Sequence, residues 1–311
     1  MLSFAALVGA LCLTSWGFHA HRLINRMAVF TLPVEVSGFF KDYVDYLSEH
    51  AVDADKRCYV DTAESPRHYI DADRYGEAPF DTIPIHWSAA VEKLSERRLL
   101  ANGVIPWQIN RSYHSLVRAM AEKNLNQILR QAADLGHYLA DAHVPLHTTA
   151  NYNGQLTGQV GIHAFWESRL PEMFASDYNF FVGRAQYVDS PLDEGWRIIR
   201  ESFALVDSVL TIEKTLSESF RDDAKYAYIV RNNILVRTYS DAYATAYHDA
   251  LQHMVERRMR ASVRCIGDFW FSAWVDAGQP DLKPLRKRTV AMDTIPPPAA
   301  GQKIIGREEW H

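Results

Sequence analysis

The sequence predicts an all-α protein built as a single multi-helix domain, and three observations carry that prediction. Apolar residues recur at spacings of three and four over long windows, as one face of a 3.6-residue helix requires. There is no Gly-rich phosphate loop of the GxxxxGK type, no internal repeat, and no strand-helix alternation of the kind that builds a parallel sheet. The composition, 48% hydrophobic and 23% charged over 311 residues, is that of a chain able to bury a large core.

The elements follow in order. Residues 1–15 (MLSFAALVGALCLTS) form an uncharged apolar run too short to span a bilayer, which needs about 20 residues. The run reads as a secretory signal, cut between Ser15 and Trp16, although the basic residues that usually precede such a run are missing; the alternative is a buried or amphipathic first helix. Export to a periplasmic or extracellular compartment follows from the first reading. Cys12 then leaves with the signal, and Cys58 and Cys265 remain as either one bridge or two buried thiols. Leu125, Ile128, Leu129, Ala132, Leu135 and Leu139 make one helical stripe, and Trp196, Ile199, Phe203, Val206 and Leu210 make another. A long helical block is predicted from about Ala227 to Asp276. The Gly-, Asn- and Thr-rich segment from Thr148 to Gly161 is a loop. The helical domain therefore covers 16–277, and the Pro-containing segment 278–311 is a peripheral tail.

With 33 Lys and Arg against 38 Asp and Glu the net charge is −5, so no broad basic field exists to hold duplex nucleic acid through its phosphates. The 13 histidines are the more informative count. His137 and Asp141 share a helix face at i,i+4, as do His163 and Glu167. Chance alone would give about 1.6 such pairs at this composition, so the spacing by itself means little. Context adds weight, because both pairs lie in segments with strong apolar stripes and His147 falls between them. Pro145 must end or kink the helix and swing His147 out of register with its face. His143, on the far side of that proline, reads as a packing or supporting histidine, and His19 as packing or surface. Upstream, Asp53 and Asp55 sit in a polar turn beside Lys56 and Arg57, and His68 follows fifteen residues after Asp53.

Together these residues resemble the superfamily that joins bacterial zinc-dependent phospholipase C with the fungal single-strand-specific nucleases. The resemblance implies an all-helical, exported protein with a trinuclear zinc cleft, and it rests also on Trp16-Gly-Phe-His-Ala-His21. In that family a mature N-terminal Trp chelates one zinc through its amine and carbonyl oxygen, which would explain a cut before Trp16. Carried over, the resemblance assigns Asp53, His68, His137 and Asp141 to one zinc and His147, His163 and Glu167 to a second. Trp16 and His21 would hold the third, with Asp141 bridging, and Asp55 is the rival to Asp53. The implied chemistry is phosphodiester hydrolysis by zinc-activated hydroxide, with Asp53 as the catalytic residue that orients or deprotonates the water.

The substrate is less determined. The nucleases usually carry a Gly-Gly-Asn motif where this chain has 151–158 (NYNGQLTG), and an Asn where this chain has Ser168. Those departures, with Glu167, favour a phospholipase C-like activity on a phospholipid or other phosphodiester. The spacings from Trp16 to His21 and from Asp53 to His68 are closer to the nuclease branch, which leaves a single-strand-specific nuclease or nucleotidase as the alternative. Tyr69, Trp87, Trp107, Tyr152 and Phe165 would suit acyl chains or bases equally. A non-catalytic zinc-binding helical protein is a third reading, disfavoured because the second zinc would have only three protein ligands.

Overall fold

The computed structural model describes residues 18–231 and 234–290. Residues 1–15, Trp16 and the end of the tail therefore lie outside the described residues. At Lys123, which adopts φ 52°, the chain turns between the helices Ile105–Ala121 and Leu125–Ala142. The Asn124 side chain caps the second by accepting from the Gln127 N–H at 3.3 Å, satisfying one of the N–H groups a helix start leaves without partners. The predicted stripe lies inward on it: Ile128, Leu129, Ala132, Leu135 and Leu139 are all buried. From Ala132 to Ala142 every residue is buried, so this segment is surrounded by other elements rather than laid on a surface.

Among the helices packed against it are Phe18–Ala28, Ile105–Ala121, Pro191–Phe203 and Met254–Asp276. Polar groups fix how they pack. Asn25 on the first helix donates to Leu47 O and Ala133 O, and Gly136 leaves the space that the Asn25 amide fills. Trp270 donates its indole N–H to Ala132 O at 3.0 Å and stacks on Phe40. Ser190 caps the Pro191–Phe203 helix, with Pro191 in its first turn, where a missing N–H costs nothing. The second predicted stripe is divided, because the chain breaks at Ala204 and Leu205 before the helix Val206–Ser219.

Between Tyr226 and Tyr239 the structure departs from the predicted long helix. This stretch is not the start of a long helix but an antiparallel hairpin, Tyr226–Arg231 paired with Ile234–Tyr239, and helix resumes only at Asp241, capped by Ser240. The physical reason is legible in YAYIVR and ILVRTY, where β-branched and aromatic residues favour a pleated strand. The described protein is otherwise helical, and no helix among the described residues is long and apolar enough to cross a membrane.

The described part of the tail drapes over the Val34–Asp42 helix. Leu282 and Leu285 are buried, Tyr43 donates its hydroxyl to Leu285 O, and Arg286 pairs with Asp42 at 2.7 Å. Cys58 and Cys265 are both buried thiols that form no disulfide, which selects the second of the two cysteine readings.

Candidate metal centre

Six stretches of chain deliver eight side chains to one buried spot. His21 comes from the first helix, Asp55 from the short helix Asp53–Arg57, and His68 from the residue after the turn Ser65–Arg67. His137 and Asp141 project from the central helix. That helix ends at Ala142, and Pro145 opens a 3-10 turn that carries His147. His163 and Glu167 lie in a segment that passes into a π-helical turn over Phe165–Arg169, a geometry that often accompanies functional sites.

The donor atoms form four overlapping groups: His21, Asp55 and His137; His68, His137 and Asp141; His147, His163 and Glu167; and His21, Asp141 and Glu167. Asp141 places Oδ2 2.9 Å from His68 Nδ1 and 3.1 Å from His137 Nε2, and Oδ1 3.3 Å from His21 Nε2. Glu167 places Oε2 2.8 Å from His163 Nε2 and 3.2 Å from His147 Nε2, and Oε1 3.3 Å from His21 Nε2. These two carboxylates therefore join the groups into one continuous cluster.

The imidazoles are held from behind. His137 Nδ1 donates to Ala51 O at 2.8 Å and His147 Nδ1 to His68 O at 2.7 Å, so each turns its Nε2 lone pair inward. His68 turns Nδ1 inward and has Glu64 Oε1 3.5 Å behind Nε2. Glu64 is fully buried, accepts from the Tyr138 hydroxyl, and is paired with Arg57 and Arg67. Backing of this kind orients metal-ligating histidines.

Ring nitrogens of neighbouring imidazoles face one another across the cluster. His137 Nε2 and His68 Nδ1 are 3.0 Å apart, and His147 Nε2 and His163 Nε2 are 3.1 Å apart. Two lone pairs at such distances repel and two N–H groups collide, so each pair either shares one proton in an N–H···N hydrogen bond or turns both lone pairs to one positive ion. Ligands about 2.0–2.1 Å from a tetrahedral ion stand roughly 3.3 Å from each other, close to the spacings above. Burial pushes the Asp141 carboxyl up, but the neighbouring imidazoles, His137 first, overcome it and hold it well below the usual carboxylate range. Glu167 behaves likewise beside His147, His163 and His21. Burial lowers His68 and His137, yet His68's contacts with Cys58 and Asp141, and His137's with Asp141 and Asp55, raise both well above the usual value. In the metal-free protein protons on these imidazoles balance the carboxylates, and a metal ion bound there would displace them.

No protein-family model matches this chain, and no curated protein matches its sequence.

Of the nine residues expected as ligands, seven converge: His21, His68, His137, Asp141, His147, His163 and Glu167. Trp16 lies outside the described residues. Asp53 is the correction. Its carboxylate turns away to His50 Nδ1 at 2.5 Å and Lys56 Nζ at 2.7 Å, and these partners outweigh burial and hold it below its ordinary value. Asp55 takes its place, with Oδ1 3.4 Å from His137 Nε2 and 3.7 Å from His68 Nδ1. The two residues point to opposite sides of one helical turn. Basic residues three before and three after Asp53 mark the solvent side, whereas Ala51 and Cys58 share the buried side with Asp55.

His143 supports rather than joins the cluster, donating to Leu139 O at 2.7 Å, and His19 is exposed. Asp73 pins the loop beside the centre by accepting from Thr149 Oγ1 and the Ala150 N–H. Of the aromatic candidates, Tyr69, Trp107 and Phe165 are core residues and Trp87 packs against the core. Tyr152, half-buried with its ring 6.3 Å from that of His163, is the one beside the centre.

Proposed function

We propose that this protein is an exported zinc-dependent phosphodiester hydrolase of the phospholipase C type, with a centre of three zinc ions. The observation that carries the reading is the cluster itself: five imidazoles and three carboxylates, with no thiolate, in groups of three donors. Structural zinc sites are generally closed by four protein ligands, often including Cys, whereas the trio His147, His163 and Glu167 would leave a position for water or substrate. In this reading His68, His137 and Asp141 hold one ion with Asp55, and His147, His163 and Glu167 hold a second. His21 holds the third with the terminal amine and carbonyl of Trp16, exposed by cleavage before that residue. Zinc bound there would lower the pKa of a coordinated water toward 7 and polarise a phosphoryl oxygen.

The chain's own groups divide the remaining work. Asp141 and Glu167 tie the ligand groups together. Asp55 takes the role of orienting the attacking water that the sequence reading gave to Asp53. Ala51 O, His68 O and Glu64 keep the imidazoles turned toward the ions.

The lipid side of the family is favoured by the loop 149–161. Asn151 donates to Thr157 Oγ1 and accepts from the Leu156 N–H, and Asn153 accepts from the Gly161 N–H, so both amides serve the loop itself. Ser168, where the nucleases carry a base-reading Asn, is buried. Zinc-loaded protein beginning at Trp16 should cleave phosphatidylcholine in detergent micelles and lose that activity to a chelator. Cleavage of single-stranded DNA or RNA in its place would move the protein to the nuclease branch, and turnover of none of them would refute the hydrolase reading.

A further inference from the structure

The hairpin Tyr226–Tyr239 contributes no side chain to the donor groups, and one face of its strands exposes apolar residues. Tyr228, Val230 and Leu235 are 66%, 72% and 64% exposed. Register puts them on one face, with Val230 opposite Leu235 and Tyr228 opposite the exposed Arg237. At the base, the same face continues into Tyr226 and Tyr239, and Tyr239 stacks on Phe165 at 3.8 Å. Phe165 stands between His163 and Glu167 in sequence, so the apolar stripe runs from the exposed end of the hairpin to the edge of the centre.

A cavity of about 400 Å³ opens at that base. Val160, Ala164, Phe165, Val236 and Tyr239 give it apolar walls, and Arg169 and Arg237 bring guanidinium groups to its lining. Charge distinguishes the hairpin from the rest of the molecule. Residues 226–239 include two arginines and no acidic residue, in a chain of net charge −5. The nearest acids in sequence are already engaged, Asp223 with Arg221 and Asp241 with Arg169.

We infer that this hairpin docks the protein on an anionic phospholipid surface. The face carrying Val230 and Leu235 lies against the acyl boundary, Tyr228 sits at headgroup level, and Arg237 meets a lipid phosphate. The cavity at the base then receives the apolar part of one lipid beside the metal centre. The inference rests on the phospholipase reading for its purpose, but the surface can be tested alone.

The test is co-sedimentation with vesicles of phosphatidylcholine, with and without phosphatidylglycerol. Val230→Asp/Leu235→Asp is compared with wild type, and turnover of soluble bis(4-nitrophenyl) phosphate is followed in parallel. Wild type should bind vesicles containing phosphatidylglycerol, and more weakly in high salt. The double variant, changed only at exposed positions and checked for an unaltered melting temperature, should bind about a hundredfold more weakly at undiminished soluble turnover. Wild type that stays in the supernatant with both vesicles, or a variant that binds equally well, overturns the inference. So does a dimer that the substitutions dissolve while neither protein binds lipid, because the hairpin would then be a self-association edge. Vesicle binding with no turnover of any phosphodiester supports lipid docking and instead sinks the proposed activity.

Discussion

Asp55→Asn and Asp53→Asn, two residues apart, should behave in opposite ways. Asp55 is buried, with Oδ1 3.4 Å from His137 Nε2 and 3.7 Å from His68 Nδ1. Replacing it removes one of three donors in its group and one negative charge from a cluster rich in positive charge. Loss of a residue that merely supports a metal ligand weakens affinity about 10- to 100-fold, so loss of a ligand should cost about a thousandfold, or about 4 kcal/mol. Asp53 gives up a partly exposed pairing with His50 and Lys56, worth at most about 1 kcal/mol, and no metal. The assay is zinc affinity in chelator-buffered titrations, with chemical denaturation of the metal-free proteins as a control for stability. Zinc lost from Asp53→Asn and retained by Asp55→Asn would refute the placement of Asp55 in the centre.

Asp141→Asn should be more damaging than Asp55→Asn, since Asp141 belongs to two donor groups; zinc content equal to wild type would show that it does not bridge. Gly136→Ala puts a Cβ 2.2 Å from Asn25 Oδ1, and Asn25 cannot retreat without leaving Leu47 O and Ala133 O. It should destabilise the fold by about 2–3 kcal/mol in denaturant, and an unchanged midpoint would contradict the packing of the first helix on the central one. Asp268 provides a pH test: burial raises its carboxyl to about 6, against the pull of the Gln186 N–H and Arg264. The folded state therefore binds this proton more tightly than the unfolded chain, so its stabilising contribution is complete below pH about 4 and lost as pH rises through about 6. Asp268→Asn should remove about 1–2 kcal/mol of that decline, after allowance for the group's partial exposure; an identical pH profile would contradict the shift.

The sequence was most informative where two kinds of constraint coincided. His137 with Asp141, and His163 with Glu167, combine i,i+4 spacing with an apolar stripe, so both the helix and the buried direction of the ligands were readable. Pro145 likewise announced the break that re-aims His147. Asp53 and Asp55 show the limit. Both are acidic and both fit a ligand pattern, and what separates them is which side of a single turn faces inward, a fact set by the tertiary burial of Ala51 and Cys58. Glu64 was invisible because nothing local distinguishes it from a solvated glutamate; its role comes from Arg57, Arg67, Tyr138 and His68 closing around it. The second strand resembles helix in sequence because Leu235 and Tyr239 continue the four- and three-residue spacing of Tyr243, Tyr247, Leu251 and Met254, and a short apolar run fits either period.

The most direct test of the metal centre is the zinc content of the intact protein beginning at Trp16, measured by native mass spectrometry before and after exposure to a chelator. Nearly three zinc ions per chain, removed with a fall in melting temperature, is the predicted result. Fewer than one ion, with a melting temperature indifferent to zinc and chelator, would contradict the assignment of the eight buried residues to metal.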